Sequence, residues 1–264
     1  MNLSIIIPIY NSEGIIPILT KKIKNNLKNK IKKFEIILIN DHSIDKSWLT
    51  IKKISKKNYF IKGINLSKNF GQHNAIMAGL NHSVGKNIIL MDDDMQHSPE
   101  DIFKIYKNLL KGYDACYVKY INRQHAKWKI FVSWLNNVVA SVLASKPIDL
   151  YTSSFKGFKK KICIKMIKNK QNEIFIDWLI LLHSRKIKII SVHHKKRYSG
   201  STNYNLRRLL KLWSIMVITI IPKNIIHKLF LILPKFLIRI LIYRFVDDDK
   251  KENKQYIISE KTFN

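Results

Sequence analysis

The chain contains 264 residues, of which 48 are Lys or Arg and 18 are Asp or Glu, giving a formal net charge of +30. A hydrophobic content of 46% excludes a disordered chain, because it provides enough apolar surface for a sizeable core. Two cysteines exclude a disulfide-stabilised scaffold and a cysteine-based zinc site. The charge indicates an anionic partner, such as a nucleic acid, a membrane surface or a phosphorylated substrate. The alternative is that the lysines are only solvated on the surface, and the charge alone does not decide between these interpretations.

The first half of the chain alternates between buried-strand and helical patterns. Continuous apolar runs predict strands at Leu3–Ile9, Phe34–Ile39, 59–66 and Asn87–Met91. The segments between these strands have helical composition, and Ser98-Pro99-Glu100 is typical of a helix start. Farther along, a loop and strand are predicted at 146–160, a helix at 173–183 and a strand at 186–192. Buried strands that alternate with helices indicate an α/β fold with a mostly parallel sheet.

Polar clusters directly follow three of the predicted strands. They are Tyr10-Asn11, Asn40-Asp41 and Asp92 to Asp94. The carboxyl ends of parallel strands meet at one edge of a sheet, which is where open α/β sheets bind ligands. We therefore expect these clusters to form one site.

The segment Asp92-Asp93-Asp94-Met95-Gln96 carries the clearest chemical signal. If it continues the strand, Asp92, Asp94 and Gln96 share one face and Asp93 points the other way. Two carboxylates and an amide oxygen suit Mg²⁺ or Mn²⁺ that is also held by substrate phosphates. The alternative is a polar strand end that caps the next helix. Asp41, at a neighbouring strand end, is suited to accept hydrogen bonds from a nucleotide base or ribose.

Residues 206–246 are both apolar and basic. The longest charge-free stretch there is Leu212–Pro222, eleven residues, whereas a helix that spans a bilayer needs about 20. One face of a continuous helix would carry Lys228, Lys235 and Arg239, as in helices that lie in a membrane interface. The alternative is a basic-faced helix packed on the domain. The predicted organisation is a domain at 1–205, membrane-interfacial helices at 206–246 and a polar tail at 247–264.

The stretch from Leu66 to Ile102, LSKNFGQHNAIMAGLNHSVGKNIILMDDDMQHSPEDI, resembles the signature of family 2 glycosyltransferases. The pattern N-[FY]-G-x-x-x-A-x-x-A-G followed by D-x-D-[LM]-Q-x-x-P-E is long and specific. Further matches are PIYNSE, NDHSID, GYD, NRQ, SSFKGF, VHH and RYSGSTNY, so the resemblance covers about residues 3–222. Within the family, the sequence is most similar to the branch of dolichyl-phosphate mannose synthase and the bacterial polyprenyl-phosphate sugar transferases.

The resemblance implies a GT-A fold and transfer of a sugar from a nucleotide-diphosphate donor with inversion at the anomeric carbon. The residues that it implies for nucleoside binding are Pro8, Tyr10, Glu13 and Asp41. Those implied for the Mg²⁺ or Mn²⁺ site are Asp92, Asp94 and Gln96, with Asp92 also contacting the donor and Asp94 acting in catalysis. Those implied for the phosphate-bearing side are Arg197, Thr202 and Tyr204. Asn40 and His42 depart from the usual Asp-Asp-Gly-Ser turn, which leaves the base open.

The acceptor decides which further residues the reaction needs. A divalent cation and basic side chains would stabilise the leaving diphosphate with either acceptor. A lipid monophosphate is already anionic, so it needs basic side chains to position it, and Arg123 and Arg197 are candidates. A hydroxyl acceptor needs a carboxylate base instead. Asp177 is then the first candidate and Asp149 the second.

The sequence thus predicts a glycosyltransferase that moves a sugar from a nucleotide sugar to a polyprenyl phosphate of the undecaprenyl type. It is predicted to act on an anionic membrane surface, as a peripheral or monotopic protein at the cytoplasmic face of the inner or plasma membrane. The alternative is transfer to a hydroxyl of a lipid-linked or cell-surface glycan. A nucleic-acid-binding protein is a remote alternative, because no RNA- or DNA-binding motif is present and the Asp cluster would repel phosphate without a metal.

Overall fold

A computed structural model describes residues 1–121, 153–168, 176–193 and 255–263. Within these ranges, the strands in chain order are β1 Leu3–Ile9, β2 Phe34–Asn40, β3 Ile61–Leu66, β4 Asn87–Leu90, β5 Ala115–Ile121, β6 Lys156–Lys159, β7 Ile187–His193 and β8 Ile258–Lys261. They form one sheet in the order β7-β5-β6-β4-β1-β2-β3-β8.

Most strands of this sheet run in one direction. Parallel pairs join β1 to β2 and β4, β2 to β3, and β5 to β7. β6 is antiparallel to both β4 and β5, and β8 is antiparallel to β3. The predicted mostly parallel α/β fold is confirmed. The carboxyl ends of β1 to β4 lie along one edge of the sheet, and we call the loops that follow them, residues 10–13, 41–47, 67–72 and 91–97, the rim.

Helices cover both faces of the sheet. The helices in the described ranges are α1 Ile16–Leu27, α2 Ser47–Lys57, α3 Gln72–His82, α4 Pro99–Leu110, α5 Lys160–Ile167 and α6 Ile176–His183. Ile5 and Ile7 of β1 belong to the core beneath α1, α2 and α4, whereas Ile6 belongs to the core beneath α3, α5 and α6. A strand buried on both faces is apolar at every position, which is why β1 reads as a continuous apolar run.

None of these described helices is long and apolar enough to cross a membrane. α1 shows the more usual pattern of a helix that covers a sheet. Its buried side chains, Ile16, Leu19, Ile23 and Leu27, recur every three or four residues, and Pro17 stands in the first turn. The membrane-interfacial helices predicted at 206–246 lie outside the described residues.

The structure contains two strands that the sequence analysis did not predict. β5 was hidden because its last three residues, 119–121, leave the apolar pattern that Ala115 begins. β8 lies inside the predicted polar tail, where a four-residue segment has only one partly buried apolar side chain, Ile258. Its pairing partner β3 is about 200 residues away along the chain, so no local pattern announces it.

Side-chain hydrogen bonds connect β8 and the residue after it to β3 and α2, in addition to the backbone pairing. The Gly63 N–H donates to Thr262 Oγ1 at 2.8 Å, and the Thr262 N–H donates to the Gly63 carbonyl at 3.0 Å. Trp48 Nε1 of α2 donates to Glu260 Oε2 at 2.6 Å. The last residues of the chain therefore cover the edge of the sheet on the β3 side.

Candidate active site

The loops after β1 and β2 are joined to each other at the rim. Asn11 Oδ1 accepts a hydrogen bond from the Ile44 N–H at 2.9 Å, and Glu13 Oε2 accepts one from the Lys46 N–H at 2.8 Å. Tyr10 is 43% exposed beside them. The predicted nucleoside residues Tyr10 and Glu13 thus lie on a pair of loops that hold one another in place.

Asp41 has a structural task that the sequence did not reveal. It is buried, and its two carboxylate oxygens accept the N–H groups of Phe70 at 2.8 Å and Gly71 at 2.9 Å. Burial raises the pKa of Asp41, and these two hydrogen bonds oppose that rise. Asp41 therefore fixes the start of α3, while Pro8 lies near the end of β1, opposite Ile39 of β2.

The metal motif does not continue β4 as a strand. β4 ends at Leu90, and the backbone turns at Met95, whose φ of +62° lies in the left-handed region. Across this turn the Gln96 N–H donates to Asp94 Oδ1 at 3.0 Å. The expectation that Asp92, Asp94 and Gln96 share one strand face is therefore wrong, because alternation of side chains requires an extended backbone.

The Asp93 side chain points toward the loop after β1, not away from the other rim loops as predicted. Its Oδ2 accepts a hydrogen bond from Ser12 Oγ, in the loop after β1, at 2.6 Å. Burial raises the pKa of Asp93 to about 6, helped by the charges of Asp92 and Asp94 and opposed by the Ser12 hydrogen bond. This contact connects the motif to the predicted nucleoside loops.

Asp92 is held by side chains from three directions. Gln72 Nε2 at the start of α3 donates to Asp92 Oδ1 at 2.7 Å, and His97 Nε2 lies 3.7 Å from Asp92 Oδ2. Burial acts to raise the pKa of Asp92, but the neighbouring His97 and Ser154 side chains and the charge of Lys156 lower it below its ordinary value. Asp92 is thus kept ionised, as a metal ligand must be.

Asp177 is buried, although a position on a helix could also have placed it on the surface. It lies in the first turn of α6, where Lys156 Nζ of β6 donates to its Oδ1, and the two side chains are only 5% and 9% exposed. The Lys156 ammonium also lies over the Tyr117 ring, 5.6 Å from its centroid. Lys156 lies within the motif SSFKGF but was not among the predicted site residues, although a lysine inside a buried strand is a signal in itself.

The remaining candidates fall outside the described ranges. They are Arg123, Asp149, Arg197, Thr202 and Tyr204. Of the predicted site residues, the structure brings the nucleoside group and the metal motif together on the rim. Their ligand contacts remain predictions.

The donor set on the rim fits a divalent cation that substrate phosphates help to hold. Within the described ranges, no three side chains of His, Cys, Asp or Glu could hold a metal ion by themselves. Mg²⁺ in phosphate-handling sites usually takes one or two carboxylates and completes its shell with phosphate oxygens and water. Asp92 and Asp94 supply that number of carboxylates, and their charges raise the pKa of Asp93, a repulsion that a cation would relieve.

Comparison with known proteins identifies the family. Residues 4–168 match the sequence profile of glycosyl transferase family 2. The chain belongs to this family. The match includes β1 to β6, every rim loop and α5.

One curated relative is an undecaprenyl-phosphate 4-deoxy-4-formamido-L-arabinose transferase from Photorhabdus laumondii. It is 31% identical over 210 residues, which cover 79% of this chain and 65% of the relative. The chain thus spans just under two thirds of that protein's length.

Solved structures of low sequence identity share the GT-A fold. Glucosyl-3-phosphoglycerate synthase from Mycobacterium tuberculosis, solved with Mn²⁺, uridine diphosphate and glucosyl-3-phosphoglycerate, aligns with a TM-score of 0.57 at 13% identity, over 84% of this chain and 81% of that one. TarS residues 1–349 from S. aureus align with a TM-score of 0.52 at 18% identity, over 84% and 67%. These likenesses confirm the predicted fold.

Proposed function

We propose that this chain transfers a sugar, with inversion, from a nucleotide-diphosphate sugar to a polyprenyl phosphate of the undecaprenyl type. The observation that carries the proposal is the set of contacts within the rim. Asp93 is hydrogen-bonded to Ser12 in a predicted nucleoside loop, and Asp92 is hydrogen-bonded to Gln72 at the start of α3. The curated relative, whose name specifies undecaprenyl phosphate, supports the acceptor class.

In this proposal the loops after β1 and β2 bind the nucleoside, with Tyr10 and Asp41 at its base and ribose. Asp92 and Asp94, with Gln96 next to them, would hold Mg²⁺ or Mn²⁺. When bound, that ion supplies positive charge that stabilises the leaving diphosphate. Arg123, Arg197, Thr202 and Tyr204 are proposed to bind the donor and acceptor phosphates.

The burial of Asp177 and its ion pair with Lys156 favour a phosphate acceptor over a hydroxyl acceptor. A phosphate oxygen is already anionic, so no base has to remove a proton from it. A hydroxyl acceptor needs a carboxylate that can accept its proton. The Asp177 carboxylate is buried and already paired with Lys156, which makes it a poor candidate for that role. Asp149 remains the second candidate base for the alternative, a glycan hydroxyl acceptor.

The acceptor can be tested with purified protein and radiolabelled nucleotide sugars. We expect label on undecaprenyl phosphate in the presence of Mn²⁺ or Mg²⁺ and none after EDTA. Asp94→Asn should lower turnover by about 100-fold, the scale for removing a transition-state charge stabiliser. Glu260→Gln is the matched control, because Glu260 is an exposed acid outside the motif and glutamine keeps an acceptor oxygen for Trp48. Label found only on a lipid-linked saccharide would favour the alternative.

We also propose that residues 206–246 hold the enzyme on an anionic membrane, as a peripheral or monotopic protein at the cytoplasmic face. Each basic side chain near such a surface contributes about 1 kcal/mol. Flotation with anionic liposomes should show binding that weakens at high salt. The triple substitution of Lys228, Lys235 and Arg239 by Gln should reduce it. Substitution is preferable to truncation, because a chain that ends before residue 206 would also lose β8.

A further inference from the structure

His97 is a buried residue whose ring has two aromatic neighbours and polar contacts at both nitrogens. It follows the metal motif directly and is only 4% exposed. Its ring stacks against Phe155, with centroids 4.9 Å apart, and against Tyr120, with centroids 5.7 Å apart. The ring therefore has one orientation, which is set by β5 and by the segment that leads into β6.

The two ring nitrogens of His97 have different polar partners. Its Nδ1 lies 2.9 Å from Tyr120 Oη, which in turn lies 3.0 Å from Ser153 Oγ. Its Nε2 lies 3.2 Å from Ser154 Oγ and 3.7 Å from Asp92 Oδ2. One ring edge is thus anchored to the fold and the other faces Asp92.

A histidine that only filled core space would not need this arrangement. Packing against Phe155 and Tyr120 would be satisfied by an aromatic or aliphatic side chain. In metal sites, by contrast, ligating carboxylates are themselves hydrogen-bonded by outer residues, which fix the ligand's orientation. His97 occupies such an outer position, because its Nε2 lies 3.7 Å from Asp92 Oδ2, within ion-pair distance, and is itself held at 3.2 Å by Ser154 Oγ.

We propose that His97 is a positioning residue that, held by Tyr120, orients the Asp92 carboxylate for a divalent cation. The inference rests on the proposed function, in which Asp92 binds Mg²⁺ or Mn²⁺. His97 touches neither donor nor acceptor in this account and acts only through Asp92. Tyr120 lies on β5, so its contact with Nδ1 fixes the position of the His97 ring relative to the sheet.

The test measures Mn²⁺ affinity by electron paramagnetic resonance, with the full chain, in the presence of uridine or guanosine diphosphate. His97→Ala should weaken Mn²⁺ binding by about 10- to 100-fold, the range for outer residues of metal sites. Tyr120→Phe keeps the ring and removes one hydroxyl, so it should weaken binding by a smaller factor without unfolding the protein. His82→Gln on α3 is the control and should leave the affinity unchanged.

A double substitution separates positioning from general damage. If His97 acts through Asp92, adding His97→Ala to Asp92→Asn should cause no further loss of Mn²⁺ affinity, whereas independent effects would multiply. Wild-type affinity in both His97→Ala and Tyr120→Phe would overturn the inference and leave the proposed function standing. Absence of Mn²⁺ binding in the wild-type protein would overturn the proposed metal dependence together with the inference.

Discussion

At the scale of single residues, the rim is marked by its backbone as well as by its polar side chains. Asn11, His42 and Met95 have φ values of +53°, +55° and +62°, and Gly71 has +85°. They lie in the loops after β1, β2, β4 and β3, one in each. Only glycine adopts this conformation freely, and other residues lose about 1–3 kcal/mol in it. Such strain collects at functional sites, where surrounding contacts compensate for it.

The sequence predicted where the rim lies but not how it is built. Polar clusters at strand ends were sufficient to bring Tyr10, Asp41 and Asp94 to one edge, because that follows from parallel pairing. The turn at Met95 was not predictable, since methionine has no preference for the left-handed region. The role of Asp41 as acceptor for Phe70 and Gly71 was equally hidden, because it depends on the tertiary position of α3.

Asp41→Ala should affect both binding and folding. Two partly buried N–H groups would lose their acceptor, at up to about 1–3 kcal/mol for each group left unsatisfied. We expect a lower free energy of unfolding in urea and weaker binding of nucleoside diphosphates by calorimetry. Asp41→Asn retains one acceptor oxygen and should lose less stability. An unchanged free energy of unfolding in the alanine variant would contradict the role assigned to Asp41 at the start of α3.

At the scale of elements, prediction succeeded where the local pattern is determined by burial on two faces. β1 to β4 were predicted within about two residues because their runs are mostly apolar and mostly buried. The predicted helix at 173–183 and strand at 186–192 correspond to α6 and β7, with residues 173–175 outside the described ranges. β5 and β8 are partly exposed, so their patterns resemble those of loops.

Asp114 joins three of these elements at the end of the sheet opposite the rim. Its Oδ2 accepts the N–H groups of Arg185 at 3.0 Å and Lys186 at 3.2 Å, just before β7, and its Oδ1 pairs with Lys161 of α5. Burial acts to raise the pKa of Asp114, but these contacts outweigh it and lower the pKa to about 2.

Asp114 should therefore stabilise the fold above pH 4 and lose that effect in acid. An unfolded aspartate has a pKa of about 3.9, so below that pH the unfolded chain takes up the proton first, and the gain of about 2 kcal/mol is lost as the pH falls toward 2. Urea unfolding should show Asp114→Asn less stable at pH 7 and closer to wild type at pH 3. Glu100→Gln should show no such convergence, and a pH-independent gap for Asp114→Asn would contradict the assignment.

At the scale of the whole molecule, the two outer strands both meet the rim. β7 ends at His193 on one edge of the sheet, and β8 begins at Ile258, beside Leu66, on the other. With neighbouring strands about 4.8 Å apart, seven intervals separate these edges by roughly 34 Å along the sheet. Residues 206–246, proposed to bind the membrane, are thus connected at both ends to the side of the sheet where the lipid phosphate is proposed to react.

A chain that ends at residue 254 keeps every predicted site residue and lacks only β8. Ser259 and Thr262 make four hydrogen bonds with Asn65 and Gly63 of β3. Each contributes about 0.5–1.5 kcal/mol, so their loss would cost about 4 kcal/mol. In a chain of this size, 1 kcal/mol changes Tm by about 2–4 °C, so calorimetry should show a decrease of roughly 8–16 °C. Addition of a synthetic peptide of residues 255–263 should restore part of the lost Tm. An unchanged Tm would mean that β8 contributes little to stability.

The pairing of β3 with β8 also sets an order of events during synthesis. About 190 residues separate the two strands, and at roughly 5–20 residues per second the ribosome needs roughly 10–40 s to add them. Until then, Gly63 and Asn65 present an unpaired strand edge, which is a template for pairing with another nascent chain. A polypeptide that stops before residue 255 would have a complete rim and an open edge, which is prone to self-association.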